Sequence, residues 1–169
     1  MTEQAVTGPH VHRRSLLRQE AKATVTCESL EIETRGAPEF HDITDDIISV
    51  VADSGVTFGQ VTVFSSHTTA AIRINENEPL LLRDMARTLR QIAPSSDYYE
   101  HNDFSRRTVN MNPDECANGH AHCQHLFLAS SETVPVIDGR PALGEYQRMF
   151  LIELDHPRMR KVLVTVVGC

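Results

Sequence analysis

Thr133-Val134-Pro135-Val136-Ile137, followed at once by Asp138-Gly139, is the stretch that decides the class of fold. Its β-branched residues favour an extended backbone. Asp-Gly is a strong turn, since both residues tolerate the positive φ of a tight hairpin. A second extended run continues through Phe150–Leu154, and Arg160–Val167 supplies another before Gly168. Strands so close together, linked by turns, are most economically antiparallel, because parallel neighbours need a long crossover.

Moving outward, the period changes from two to about 3.6 residues. Ile43, Ile47, Val50 and Val51 repeat on one helical face over Ile43–Asp53, with Asp42 placed to cap the helix and Gly55 to end it. A second helix is predicted over Leu80–Ile92. Pro79 sits near its start, Leu81, Leu82, Met85, Leu89 and Ile92 form a stripe expected to face the core, and Pro94 stops it. Ala23–Thr34 reads as an early strand broken by Gly36 and Pro38, and Val61–Phe64 as another strand leading into Ser65-Ser66-His67-Thr68-Thr69. Residues 94–118 are rich in Asp, Asn, Pro, Ser and Tyr and read as a long ordered excursion. Helices early and strands late indicate an α+β fold: a single compact domain over residues 21–169, with a largely antiparallel or mixed β-sheet and packed helices. Residues 1–20 read as a flexible basic arm carrying His10, His12, Arg13, Arg14 and Arg18.

The chain has 169 residues, enough for one substantial core. Its net charge is −7, it lacks Trp, and its aromatic content is 5%, which argues against nucleic acid and anionic membranes as partners. No apolar run is long enough to cross a bilayer, and the N-terminus shows no signal-peptide core, so a cytoplasmic location is expected. Cys27, Cys116, Cys123 and Cys169 form no CxxC pair, and a chain of this size has no evident need of disulfides. Glycine-rich loops of the P-loop or dinucleotide type are lacking.

Three regions carry candidate chemistry. His67 stands at a strand end. Asn118-Gly119-His120-Ala121-His122-Cys123-Gln124-His125 concentrates imidazoles, with Asp114 just before it. Glu153, Asp155, His156, Arg158 and Arg160 cluster near another strand end. Together they offer imidazole, carboxylate and guanidinium for metal binding, proton transfer and phosphate recognition. An extended backbone would point His120 and His122 the same way, whereas a helix would make His122 and His125 neighbours. A zinc site could combine His67, His120 and His122; hydrogen-bonded surface histidines are the plainer reading. Glu153 and Asp155 could hold Mg²⁺ or orient a histidine, or else form a polar face beside an apolar sheet. Arg158 could contact phosphate at two points, and Gln147 could offer a directed hydrogen bond. Cys123 reads as a structural thiol.

The motifs SSHTTAAIRINENE at 65–78, NGHAHCQH at 118–125, TVPVIDG at 133–139, LGEYQ at 143–147 and ELDHPRMRKV at 153–162 resemble the YjbQ-like family, some of whose members are described as secondary thiamine-phosphate synthases. The resemblance covers most of residues 20–169. It implies an α+β domain assembled as a homotrimer. It also implies a site near His67, Asp114, Asn118, His122, Gln147, Glu153 and Arg158, completed at a subunit boundary and able to hold a metal or phosphate. Two positions depart from the usual family pattern: Tyr146 stands where Trp is typical, and His156 where Gly is common.

The leading functional expectation is a weak thiamine-phosphate synthase, joining an aminopyrimidine diphosphate to a thiazole phosphate with release of diphosphate. His122, His67 and Glu153 are its candidate catalytic residues, and Asn118, Gln147 and Arg158 its candidate substrate ligands. Metal ligands, for Mg or Zn, are sought among His67, His120, His122, Asp114 and Asp155. The alternatives are a non-enzymatic trimer that binds a metal or a small phosphorylated metabolite, and a metal-dependent hydrolase.

Overall fold

The computed structural model describes residues 21–112 and 114–169, so the basic arm expected at 1–20 lies outside the described residues. Strand β1 spans Thr24–Glu33 and β2 Glu39–Asp42; helix α1, Thr44–Ser54, follows. Then come β3 (Gly59–Ser65), β4 (Ala70–Glu76), α2 (Pro79–Ile92), a 3-10 turn at Glu100–Asn102 and α3 (Gly119–His125). The chain closes with β5 (Ser131–Ile137), β6 (Arg140–Pro141), β7 (Gln147–Glu153) and β8 (Met159–Gly168).

The strands form two sheets, one in the order β1-β8-β3-β5-β6 and the other β2-β7-β4, and every pairing between these strands is antiparallel. The α+β expectation therefore holds, with two sheets where one was envisaged; the three late runs read as antiparallel neighbours do not pair with one another, because β3 stands between β5 and β8 and β7 joins the other sheet. The Asp138-Gly139 turn joins β5 to β6 with φ of 51° and 72°, the left-handed pair that a two-residue hairpin requires.

Alternation along the strands explains the larger core. Val61, Val63, Val134, Val136, Val162, Val164 and Val166 point from the five-stranded sheet onto Ile72, Met149 and Leu151 of the other sheet, and α1 adds Ile47, Val50 and Val51. β7 is central in its sheet and buried on both faces. Its Phe150 and Ile152 turn the opposite way and meet Leu89 of α2 and Ala121 of α3 in a second core. A strand covered on both sides reads as a continuous apolar run, as Met149–Ile152 does.

Helix ends follow their local chemistry. The Asp42 carboxylate accepts the Thr44 N–H at 3.0 Å and its hydroxyl at 2.6 Å, and Gly55 ends α1 at φ 70°. Glu78 accepts from the N–H groups of Leu80 and Leu81, and Pro79 occupies the first turn of α2. The stripe of α2 is less completely buried than its period suggests. Leu89 alone is buried, while Leu81, Leu82 and Met85 are intermediate and Ile92 is 43% exposed. The helix leaves an apolar groove of about 380 Å³ against Phe40, Phe127, Leu128 and Phe150.

Strand register assembles the site. Ser65 at the end of β3 pairs with Val162 of β8, and Ala70 at the start of β4 pairs with Glu153 at the end of β7. The 66–69 loop and the 154–158 loop are thereby brought to one end of the two sheets.

Candidate functional site

Glu153 and Arg160, one on each side of the β7–β8 loop, form the buried base of the site at 0% and 2% exposure. Arg160 Nε donates to Glu153 Oε2 at 2.6 Å, and its Nη2 reaches Oε1 as the second arm of a bidentate pair. The same carboxylate accepts the Thr34 hydroxyl at 2.9 Å and the backbone N–H groups of Leu154 at 3.1 Å and Asp155 at 2.9 Å. Arg160 also donates to the Thr69 hydroxyl at 3.1 Å. Both oxygens of Glu153 are thus engaged with donors that hold β1, the 66–69 loop and the 154–158 loop together. In this geometry Glu153 positions the site.

Above this pair, Asp155 collects four neighbours. His156 Nδ1 lies 2.8 Å from Oδ1, Asn118 Nδ2 donates to Oδ2 at 3.1 Å, Arg158 Nη2 donates to Oδ2 at 2.7 Å, and Cys116 Sγ stands 3.9 Å from Oδ1. Burial pushes the Asp155 carboxyl up, but hydrogen bonds from His156, Asn118 and Arg158, together with charge on His156, outweigh it and hold the group below the usual carboxylate range. Cys116 Sγ also lies 3.1 Å from His156 Nδ1. Burial, and then the neighbouring Asp155 charge, push the Cys116 thiol up. A Cys–His–Asp relay would use the two ring nitrogens separately, yet here Cys116 and Asp155 both make their nearer contact with Nδ1. A raised thiol also argues against a free nucleophile. What the three share is donor convergence: one ligand atom each from Cys116, Asp155 and His156, all within 4.8 Å of one another, a group that could coordinate a metal ion.

Beside this cluster opens a cleft of about 840 Å³. His67, Arg158 and Arg160 line it from the sheet ends, His122 from α3, and His101, Arg106 and Arg107 from the excursion. Arg107 is committed to Glu115 at 2.7 Å and to the carbonyl of Asn110 at 2.5 Å. Arg158 is less fully used, for its buried Nε has no partner among the described residues. The Lys161 N–H donates to His67 Nε2 at 2.8 Å, so a neutral His67 carries its proton on Nδ1. Burial, followed by the Arg160 charge, holds His67 below the ordinary histidine range. Burial, followed by the adjacent His101, does the same for His122. The His101 and His122 rings meet edge-on at 4.7 Å.

The Asn118-Gly119 pair opens α3 by close approach. A Cβ on Gly119 would stand 2.5 Å from Tyr99 Cβ, and the Gly119 N–H donates to Asn102 Oδ1 at 2.9 Å. Only glycine lets α3 settle on the 3-10 turn, and that contact sets His122 beside His101. Because the segment is helical, His120 and His122 diverge, and His120 turns toward Tyr99 with ring centroids 6.5 Å apart.

The structure therefore gathers His67, Asn118, His122 and Arg158 on one cleft, with Glu153 beneath it and Asp155 behind Arg158. Asp114 borders a smaller adjoining cavity of about 300 Å³, together with Cys116 and His156. Gln147 is not brought in. It lies at the far end of β7 from Glu153, six residue steps or about 20 Å away at strand rise, and accepts the Gly144 N–H at 2.8 Å. Tyr146 beside it is 66% exposed. Cys116, His101 and Arg107 drew no functional reading from the sequence. Their only signal was membership in a long polar excursion: Cys116 meets His156 across 40 positions and His101 meets His122 from another element.

The model of the UPF0047 YjbQ-like family matches residues 28–169. The chain belongs to this family. A UPF0047 protein of Methanothermobacter thermautotrophicus is 38% identical over 85% of this chain and 93% of its own length. That of Methanocaldococcus jannaschii is 32% identical over 82% and 91%. The crystal structure of a protein of unknown function from Sulfolobus solfataricus matches with a TM-score of 0.79 at 31% identity, covering 88% of this chain and 100% of that one. A hypothetical protein from Aeropyrum pernix gives 0.75 at 29% identity, over 85% and 99%. This YjbQ-like chain thus shares both its sequence family and its fold with proteins whose names state no activity.

Proposed function

We propose that this YjbQ-like protein binds a small phosphorylated metabolite in the 840 Å³ cleft, beside a zinc-class cation held by Cys116, Asp155 and His156. The observation that carries this reading is Arg158, which borders both cavities and whose buried Nε has no partner among the described residues, on a chain of net charge −7. A guanidinium is built for two-point contact with phosphate oxygens. His67 and His122, neutral at pH 7 because of burial, complete the pocket as hydrogen-bonding groups. Sulfur, imidazole nitrogen and a single carboxylate suit zinc, whereas Mg²⁺ prefers oxygen ligands in an octahedron.

Thiamine-phosphate synthesis is the catalytic form of this proposal. Arg158 would neutralise the leaving diphosphate, and His122 would orient it or move a proton beside it. Binding without turnover has the stronger support, because Glu153 is fully engaged in structure. Isothermal titration with inorganic phosphate and with both thiamine precursors, accompanied by elemental analysis, tests the two forms. Binding that disappears in Arg158→Gln, together with bound zinc that is lost in Cys116→Ser, is expected. Equal phosphate affinity in wild type and Arg158→Gln would overturn the role of Arg158. Coupled product above a heat-inactivated control would establish the synthase.

The trimer enters as a proposal through Gln147, which can reach a cleft only if a second copy presents it. Native mass spectrometry should give three chains, and a monomer over a tenfold concentration range would reject that assembly.

A further inference from the structure

Arg158 stands where a cation would stand. Its Nη2 is 2.7 Å from Asp155 Oδ2 and 2.6 Å from His156 Nδ1, and it touches Nε2 of the same ring. Cys116 Sγ is 3.1 Å from that Nδ1. A guanidinium offers only donors, so a positive nitrogen rests on the Asp155 carboxylate and packs against the His156 ring. A divalent ion held by Asp155 and His156 would meet that positive charge at contact distance, so ion and guanidinium exclude each other. Arg158 has another place to go. It lines both the small cavity and the large cleft, and its Nε has no partner among the described residues.

We infer that Arg158 couples two binding sites: a divalent cation entering among Cys116, Asp155 and His156 displaces the guanidinium into the cleft, where it captures the anionic group of a ligand. The inference rests on the metal-and-metabolite reading above and adds its regulation. Linkage makes the effect reciprocal. An anion that draws Arg158 into the cleft vacates the cation position, and so tightens cation binding by the same factor.

The test uses the full chain stripped of metal, with Co²⁺ as the probe, because thiolate-to-cobalt absorption reports ligation by Cys116. Co²⁺ is titrated with and without saturating inorganic phosphate, and phosphate binding is measured separately by calorimetry. Wild type should bind Co²⁺ about tenfold more tightly with phosphate present, within the usual range of coupling between sites. Arg158→Gln should bind Co²⁺ more tightly than wild type without phosphate, since its competitor is gone, and phosphate should no longer change that affinity. The phosphate-free arm separates the device from simple attraction between a cation and a nearby anion, which predicts no change in Co²⁺ affinity when Arg158 is replaced and no phosphate is present. If wild type binds both ions but phosphate leaves Co²⁺ affinity unchanged, the coupling is overturned and the two-site reading survives. If no thiolate–cobalt band appears, or it persists in Cys116→Ser, the metal reading falls and the coupling with it. Failure of wild type to bind phosphate overturns the metabolite reading and the coupling. Matching circular dichroism spectra and melting curves confirm that each variant is folded.

Discussion

Replacing Glu153 by Gln keeps the volume of the side chain and removes its charge, at a position with 0% exposure. In the wild type, one oxygen faces Arg160 Nε and the Thr34 hydroxyl, and the other faces Arg160 Nη2 and the N–H groups of Leu154 and Asp155. Whichever way the new amide is turned, its NH₂ meets at least two donors, and Arg160 is left as an uncompensated charge at 2% exposure. Breaking one side of a buried pair costs about 3–5 kcal/mol. At about 2–4 °C per kcal/mol for a domain of this size, Tm should fall by roughly 6–20 °C. Replacing both partners with apolar residues, as Glu153→Leu with Arg160→Met, should recover most of that loss, because no charge remains to be compensated. Urea unfolding followed by circular dichroism, paired with thermal melts, measures all three proteins. A Glu153→Gln protein within about 1 kcal/mol of wild type would refute the assignment of this pair as the buried tie of the site. Such a result would return Glu153 to the list of candidate reacting groups.

Acidification offers a further test. Burial holds His67, His120, His122 and His125 below the ordinary histidine range, with the Arg160 charge adding to the effect at His67 and His101 at His122. Between those lowered values and the unfolded value of about 6.5, the unfolded chain binds more protons, so stability present above about pH 6.5 is lost as pH falls through this interval. Tm should therefore drop between about pH 7.5 and 5.5, ahead of the carboxylates, and a flat profile there would contradict the burial of these rings. Leu151→Ala, at 0% exposure between the two sheets, should cost about 2–5 kcal/mol in urea unfolding; a smaller loss would mean that the sheets close over the cavity. Gly59→Ala should destabilise by about 1–3 kcal/mol, since the added Cβ would lie 2.1 Å from the Val167 carbonyl oxygen, which is backbone and has little freedom to move. An unchanged melting curve for that variant would show that β3 and β8 can separate locally.

Much of the fold was legible because its signals are local. The valines of Arg160–Val167 alternate, Asp138-Gly139 can form only a narrow set of turns, and Gly55 and Pro79 mark helix ends by their own backbone limits. β4 was missed because Ala70, Arg73, Asn75 and Glu76 are poor strand formers, and the strand is held by its pairing with β7. The α2 stripe was legible as a stripe, but its incomplete burial depends on where the helix lies over the outer sheet face. In the site, His67, His122 and Arg158 stood out by residue type and position. Glu153 and Asp155 stood out as a pair of like carboxylates, yet they diverge in role: one ties a buried arginine, while the other gathers His156, Asn118 and Arg158.

By itself the sequence determined the fold class, the Asp138-Gly139 turn, the boundaries of α1 and α2, and the family, because each is written in short-range periods and motifs. Only the tertiary structure decided that the Asn118–His125 segment is a helix that separates His120 from His122, and that Gly119 serves a close approach to Tyr99. It alone placed Cys116 against His156 across 40 positions, with Arg158 paired to Asp155 beside them. The physical reason is that burial and charge partnership are set by which strand ends the register brings together, and no local pattern encodes that encounter.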